Sequence, residues 1–117
     1  MTVAQYSVDD HFQGKDPHVR LIYDHLLVQL SEVGSIDEQP KKTSIHLARA
    51  VGFAGIQTRK SYLLLNIRSA QPIESPRVLK AEQVSKNRYH QEVKLATVKD
   101  VDDELLAWLR AAYELSA

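Results

Sequence analysis

Glu92 and Lys94 stand two residues apart, so on a strand they share one face: a carboxylate able to hold a divalent cation beside an ammonium able to meet developing negative charge. That is half of a metal-dependent nuclease site. The other half is an earlier carboxylate, and since no Asp occurs between Asp37 and Asp100, only Glu74, Glu82 or the distant Asp37 could supply it. A Glu followed two residues later by a Lys is also ordinary decoration of an exposed strand, and decoration is the better reading. A metal-dependent hydrolase built on this pair stays a lesser alternative.

The histidines lead no further. His11, His18 and His25 recur every seven residues, which on one helix sets the last two about 10 Å apart, too far to share a metal. No His-Glu-x-x-His pair, Gly-x-Ser-x-Gly elbow or Gly-x-x-x-x-Gly-Lys phosphate loop occurs, and the chain has four glycines in all. Zero cysteines exclude a disulfide framework, a thiolate zinc site and a cysteine nucleophile. The sequence thus assigns no catalytic residue, no metal ligand and no cofactor, and it leans away from an enzyme.

Charge is more informative by segment than in total. The 117 residues carry 15 Lys and Arg against 15 Asp and Glu, a neutral chain that argues against a polyanion partner. Residues 1–40 nevertheless hold two basic residues against seven acids, residues 41–99 twelve against three, and residues 100–117 one against five, giving −5, +9 and −4. A basic middle between acidic ends is a hint of anion or nucleic-acid contact. Basic strands paired with acidic helices, and Lys and Arg blunting sheet edges, are the better reading of the asymmetry.

The elements that position these charges follow from periodicity and punctuation. Ser7 and Asp10 form a capping pattern before a short helix over 8–13, with Gly14 as its stop. Asp16 and Pro17 open a second helix over 17–33, whose Val19, Ile22, Tyr23, Leu26, Leu30 and Val33 make one buried stripe before Gly34. Short β-branched and aromatic segments then predict strands at 35–39, 43–49, 52–58, 61–68 and 88–96. Residues 69–87, with Pro72 and Pro76, read as a long connection in which Val78–Val84 could form another short strand. Asp100 is expected to cap a last helix over 101–115, its apolar face being Val101, Leu105, Trp108, Leu109, Ala112 and Tyr113.

The expected fold is a single α+β domain over residues 1–117: an antiparallel sheet of about five strands, packed on one face by the N- and C-terminal helices. Alternation then sorts the side chains. Leu63, Leu65 and Ile67 face the helices, as do Tyr89, Gln91, Val93 and Leu95. The other face carries Lys42, His46, Lys60, Tyr62, Asn66, Arg68, His90 and Lys94, the candidate anion-binding residues. Val51–Thr58 half matches an RNA-recognition strand through Gly52, Phe53 and Ala54, but Val51, Gly55 and Thr58 stand where that pattern needs a basic residue and two aromatics. A strand with a glycine-permitted bulge and a core Phe53 explains it better.

Several of these segments together carry a likeness: Ser7–Phe12 with Gly14-Lys15, Lys42–Ile45, Gly52-Phe53-Ala54, Lys60–Leu65, and above all Asp100–Leu105 followed by Trp108-Leu109 and Ala112-Tyr113. Over nearly its whole length the chain resembles a family of small bacterial domains, domain of unknown function 5655, similar in appearance to the YdhG-like domains. The resemblance implies a compact α+β accessory domain, standing alone or fused to others, in a family where a loose transport label occurs but no catalytic residues are agreed.

No basic leader with an apolar stretch opens the chain, and the longest apolar run, Leu105–Leu109, is too short for a bilayer, so a cytoplasmic protein without membrane contact is expected. The function expected is a non-enzymatic binding module whose basic sheet face contacts an anionic partner, nucleic acid or phosphorylated ligand. The alternative is a homodimer or protein-interaction surface on that same face, with Tyr62 and Leu64 at its centre.

Overall fold

The computed structural model describes residues 6–117. Six strands form one antiparallel sheet: β1 (Asp37–Pro40), β2 (Ile45–Ala48), β3 (Gly52–Thr58), β4 (Leu63–Ser69), β5 (Val78–Ser85) and β6 (Arg88–Leu95), in spatial order β1-β2-β3-β4-β6-β5. The first four make a meander, and β6 then inserts between β4 and β5. Helices α1 (Pro17–Ser31) and α2 (Asp103–Glu114) complete the fold. The class is the α+β arrangement the sequence implies, but with six strands rather than five, because Val78–Val84 does form a strand.

The two helices begin differently: α2 has a side-chain cap, whereas the Asp16 side chain makes no capping bond to α1. Asp16 holds extended backbone ahead of Pro17, whose missing donor costs nothing at the first helical position. The expected helix at 8–13 is instead a 3-10 turn over Asp9–Phe12, tied by reciprocal bonds from Ser7 N–H to the Asp10 carboxylate (3.0 Å) and from Asp10 N–H to Ser7 Oγ (3.1 Å). Gly14 closes it at φ +75°, a conformation that favours glycine. Asp102, not Asp100, caps α2 by accepting from Leu105 N–H at 3.0 Å. Asp100 closes a separate 3-10 turn at Val98–Asp100, where its carboxylate takes the N–H groups of Ala96 and Thr97.

One layer of apolar side chains lies between helices and sheet. Val19, Ile22, Tyr23, Leu26 and Leu30 of α1 and Leu105, Leu109, Ala112 and Tyr113 of α2 meet Ile45, Leu47, Phe53, Ile56, Leu63, Leu65, Ile67, Val93 and Leu95 of the sheet. The alternation along β4 is clean: Leu63, Leu65 and Ile67 are fully buried, whereas Leu64, Asn66 and Arg68 are half-exposed. Trp108, expected in the core, is only half-buried. It sits on the flank of α2, where Arg77 lies over its ring. Gly34 packs so closely against the Tyr113 ring that any side chain there would collide with the Tyr113 hydroxyl, which donates to Ser35 O at 3.0 Å.

The connection from β4 to β5 must pass β6, and it does so on the helical side. Gln91, buried on that face of β6, donates from Nε2 to Ser69 Oγ (2.8 Å) and Gln71 O (3.4 Å). At its far end Arg77 grips α2, reaching both oxygens of Asp102, the Glu104 carboxylate and Asp100 O. Residues 70–77 therefore do not cover the opposite sheet face. Among the described residues no helix lies on that face.

Candidate anion-binding depression on the open sheet face

Two glycines set the floor. Cross-strand pairing aligns His46, Gly55, Asn66 and Glu92 in one row across β2, β3, β4 and β6. At Gly55 that row has no side chain, and a Cβ there would meet only the Cβ of Asn66, at 3.9 Å. Next to it, β3 carries one extra residue opposite the Leu47/Ala48 step, so the strand bulges at Phe53 and turns that ring inward against Tyr113, with centroids 5.4 Å apart. The bulge expected at Gly52 and Phe53 is therefore present, and it is what makes room.

A depression of about 250 Å³ results, bordered by Ser44, His46, Gln57, Asn66, Arg68, Arg88 and His90. Its basic side has a specific construction. Arg68 pairs directly with His90 across β4 and β6, and Arg88 stands two residues before His90 on the same face. Arg68 Nη1 donates to Ser116 Oγ at 3.1 Å, which anchors one edge of the guanidinium and leaves the rest of the fork. Arg88 Nε is buried and meets no acceptor among the described residues. Neither arginine has a carboxylate at ion-pair distance among those residues, in contrast to Arg20 with Asp9 and Asp24, and Arg77 with Asp102 and Glu104. Burial, and then the positive field of Arg88 with a smaller one from Arg68, hold the His90 imidazole below its ordinary pKa, against the opposing pull of Glu82.

The eight residues expected on this face divide in two. His46, Asn66, Arg68 and His90 converge on the depression. The other four lie elsewhere. Lys60 binds Gly14 O (3.1 Å) and the Asp16 carboxylate (3.4 Å), Lys94 lies 4.5 Å over the Tyr62 ring, and Lys42 is exposed in the turn between β1 and β2. Arg88, Gln57 and Ser44 complete the rim, and Arg88 has the strand parity of His90 and Lys94, the sequence signal that points to it. Among the described residues no three His, Asp or Glu side chains gather as a metal site would need. His11 and His18 are tied to the backbone carbonyls of Lys41 (2.8 Å) and Ser61 (2.7 Å), joining the N-terminal turn and α1 to the sheet.

A family model described as a domain of unknown function (DUF5655) matches residues 8–116. The chain belongs to this family. Neither the curated proteins nor the solved structures yield a match. The matched span of the DUF5655 domain takes in every element described above, from the Asp9–Phe12 turn to α2, together with all residues bordering the depression. No helix among the described residues is long and apolar enough to cross a membrane.

Proposed function

We propose that this DUF5655 domain is a non-enzymatic binding module that takes a small phosphorylated ligand in the depression. The observation that carries the reading is the pair of arginines, Arg68 and Arg88, with no carboxylate at ion-pair distance among the described residues, beside His90 over a glycine floor, the Arg88 Nε–H itself having no acceptor among those residues. Guanidinium forks match phosphate oxygens in shape as well as charge, and His90 and Asn66 add neutral donors around the same anion. Gly55 lets the ligand approach backbone directly. A small phosphate fits better than a polynucleotide because the basic residues do not form a continuous track: Lys60 is engaged with Asp16, and Lys94 with Tyr62. The reading takes the protein to be cytoplasmic, in keeping with a chain without cysteine.

Calorimetric titration with inorganic phosphate, pyrophosphate and a panel of phosphorylated metabolites tests it, with single- and double-stranded oligonucleotides run beside them at low and moderate salt. Salt-sensitive binding of a phosphorylated small molecule is expected, weakened about tenfold or more in Arg88→Ala. Equal binding by wild type and Arg88→Ala, or no binding at all, would overturn the proposal, and preference for oligonucleotides would replace it with the nucleic-acid reading.

A further inference from the structure

The two edges of the sheet are built differently. β1 is four residues long, ends in Pro40, and has its Glu38 carboxylate held by the Tyr23 hydroxyl at 2.6 Å, features that discourage another strand from joining. β5 is eight residues long, and from Leu79 to Ser85 every residue is exposed, with Leu79 and Val84 at 59% and 50%. It bulges near each end, between Val78 and Lys80 and between Gln83 and Ser85, so its regular stretch is Lys80-Ala81-Glu82-Gln83.

We infer that β5 pairs antiparallel with β5 of a second copy, centred on Ala81, joining two six-stranded sheets edge to edge. The charges select both occupant and register. In an antiparallel pair the residues directly opposite share a face, so a two-fold axis at Ala81 sets Lys80 of each copy against Glu82 of the other. Sliding by one step in either direction along the same face sets Lys80 against Lys80 or Glu82 against Glu82, which repels. Within each chain Lys80 already pairs with Glu92, and Glu82 with His90. The join therefore completes a row running Glu92, Lys80, then Glu82 and His90 of the second copy, with opposite signs at every ionised contact. The even register also keeps both helical layers on one side and both depressions on the other. Such a join needs no ligand in the depression.

Sedimentation velocity over a wide concentration range reads the outcome, with circular dichroism confirming that each variant folds. Wild type is expected to show a concentration-dependent dimer, and Lys80→Glu and Glu82→Lys each to weaken it about tenfold or more. In the first variant positions 80 and 82 are both acidic, and in the second both are basic. Mixing the two sets acid against base at each contact, so the mixture is expected to form a heterodimer that neither variant matches alone. A wild type that stays monomeric or a mixture that stays monomeric would overturn the inference. Single variants that dimerise like wild type would overturn it too, assigning self-association to another surface.

Discussion

At the scale of single residues, the absence of side chains matters as much as their presence. Gly55 is open to substitution on packing grounds, because a Cβ there makes only an ordinary contact with Asn66. Gly55→Val should therefore leave the melting temperature within a few degrees of wild type while filling the floor and abolishing phosphate binding, a separation that thermal melts and calorimetry on one sample will show. His90 makes a second prediction, in which the sign follows from its depressed pKa. The unfolded chain takes up a proton first as pH falls, so the stabilising share of neutral His90 is present above about pH 6.5 and is lost on acidification through the lower folded-state value. Melts across the acid range should show wild type losing more than His90→Asn, with added phosphate narrowing the gap because a bound anion favours the imidazolium. Parallel curves for the two proteins would refute this. Half of the depression was legible in strand parity alone, since His46, Asn66, Arg68 and His90 follow from alternation. What parity does not show is convergence: Lys60 and Lys94 have the right type and face, but nearer partners in Asp16 and Tyr62 engage them.

Among the elements, α2 and the crossover before β5 depend on each other. Arg77 bridges them through three backbone or carboxylate partners on the Asp100–Glu104 segment and lies over Trp108, so its loss leaves the capping carboxylate of Asp102 without its cation and uncovers the flank of the helix. Arg77→Ala should cost about 2 kcal/mol, since hydrogen bonds to charged groups are worth roughly 1.5–3 kcal/mol. Trp108→Ala should cost about 2 kcal/mol as well, less than the roughly 3–5 kcal/mol of a fully buried aromatic, because its ring is half-buried. Because the two residues share one contact, the double variant should cost less than the two losses combined, as urea unfolding will report. Elements with one regular buried stripe were readable beforehand: α1 from its 3.6-residue spacing, and β3 at its true limits of Gly52–Thr58. β5 was readable only as an option, since the apolar Leu79 and Val84 lie at its bulges, where alternation breaks down. The capping role moved from Asp100 to Asp102 because four closely spaced carboxylates, Asp100, Asp102, Asp103 and Glu104, offer several plausible starts.

Over the whole molecule, the neutral total conceals a basic sheet region between acidic ends, and the fold resolves what that arrangement does. Part of it is internal neutralisation, with Lys60 on Asp16 and Arg77 on Asp102 and Glu104 joining the middle of the chain to its ends. Of the remainder, Arg68 and Arg88 border the depression. A small phosphate should accordingly lose affinity only a few-fold on raising salt from about 50 to 200 mM, whereas an oligonucleotide held through six or more phosphates would lose roughly a thousandfold. Measuring the salt dependence of the best ligand decides between them. Strand order carries a further consequence, one of timing. β5 and β6 are joined by the two-residue turn Lys86-Asn87, and no residue in it takes a positive φ, so the bulge at Val84 adds local twist near that turn. Such a hairpin closes quickly from local contacts, but β6 belongs beside β4, across a crossover that α2 must clasp through Arg77. The last third of the chain is thus expected to assemble as a preformed ribbon that docks late onto the meander, and substitutions at the β4–β6 seam should accelerate unfolding more than they slow folding.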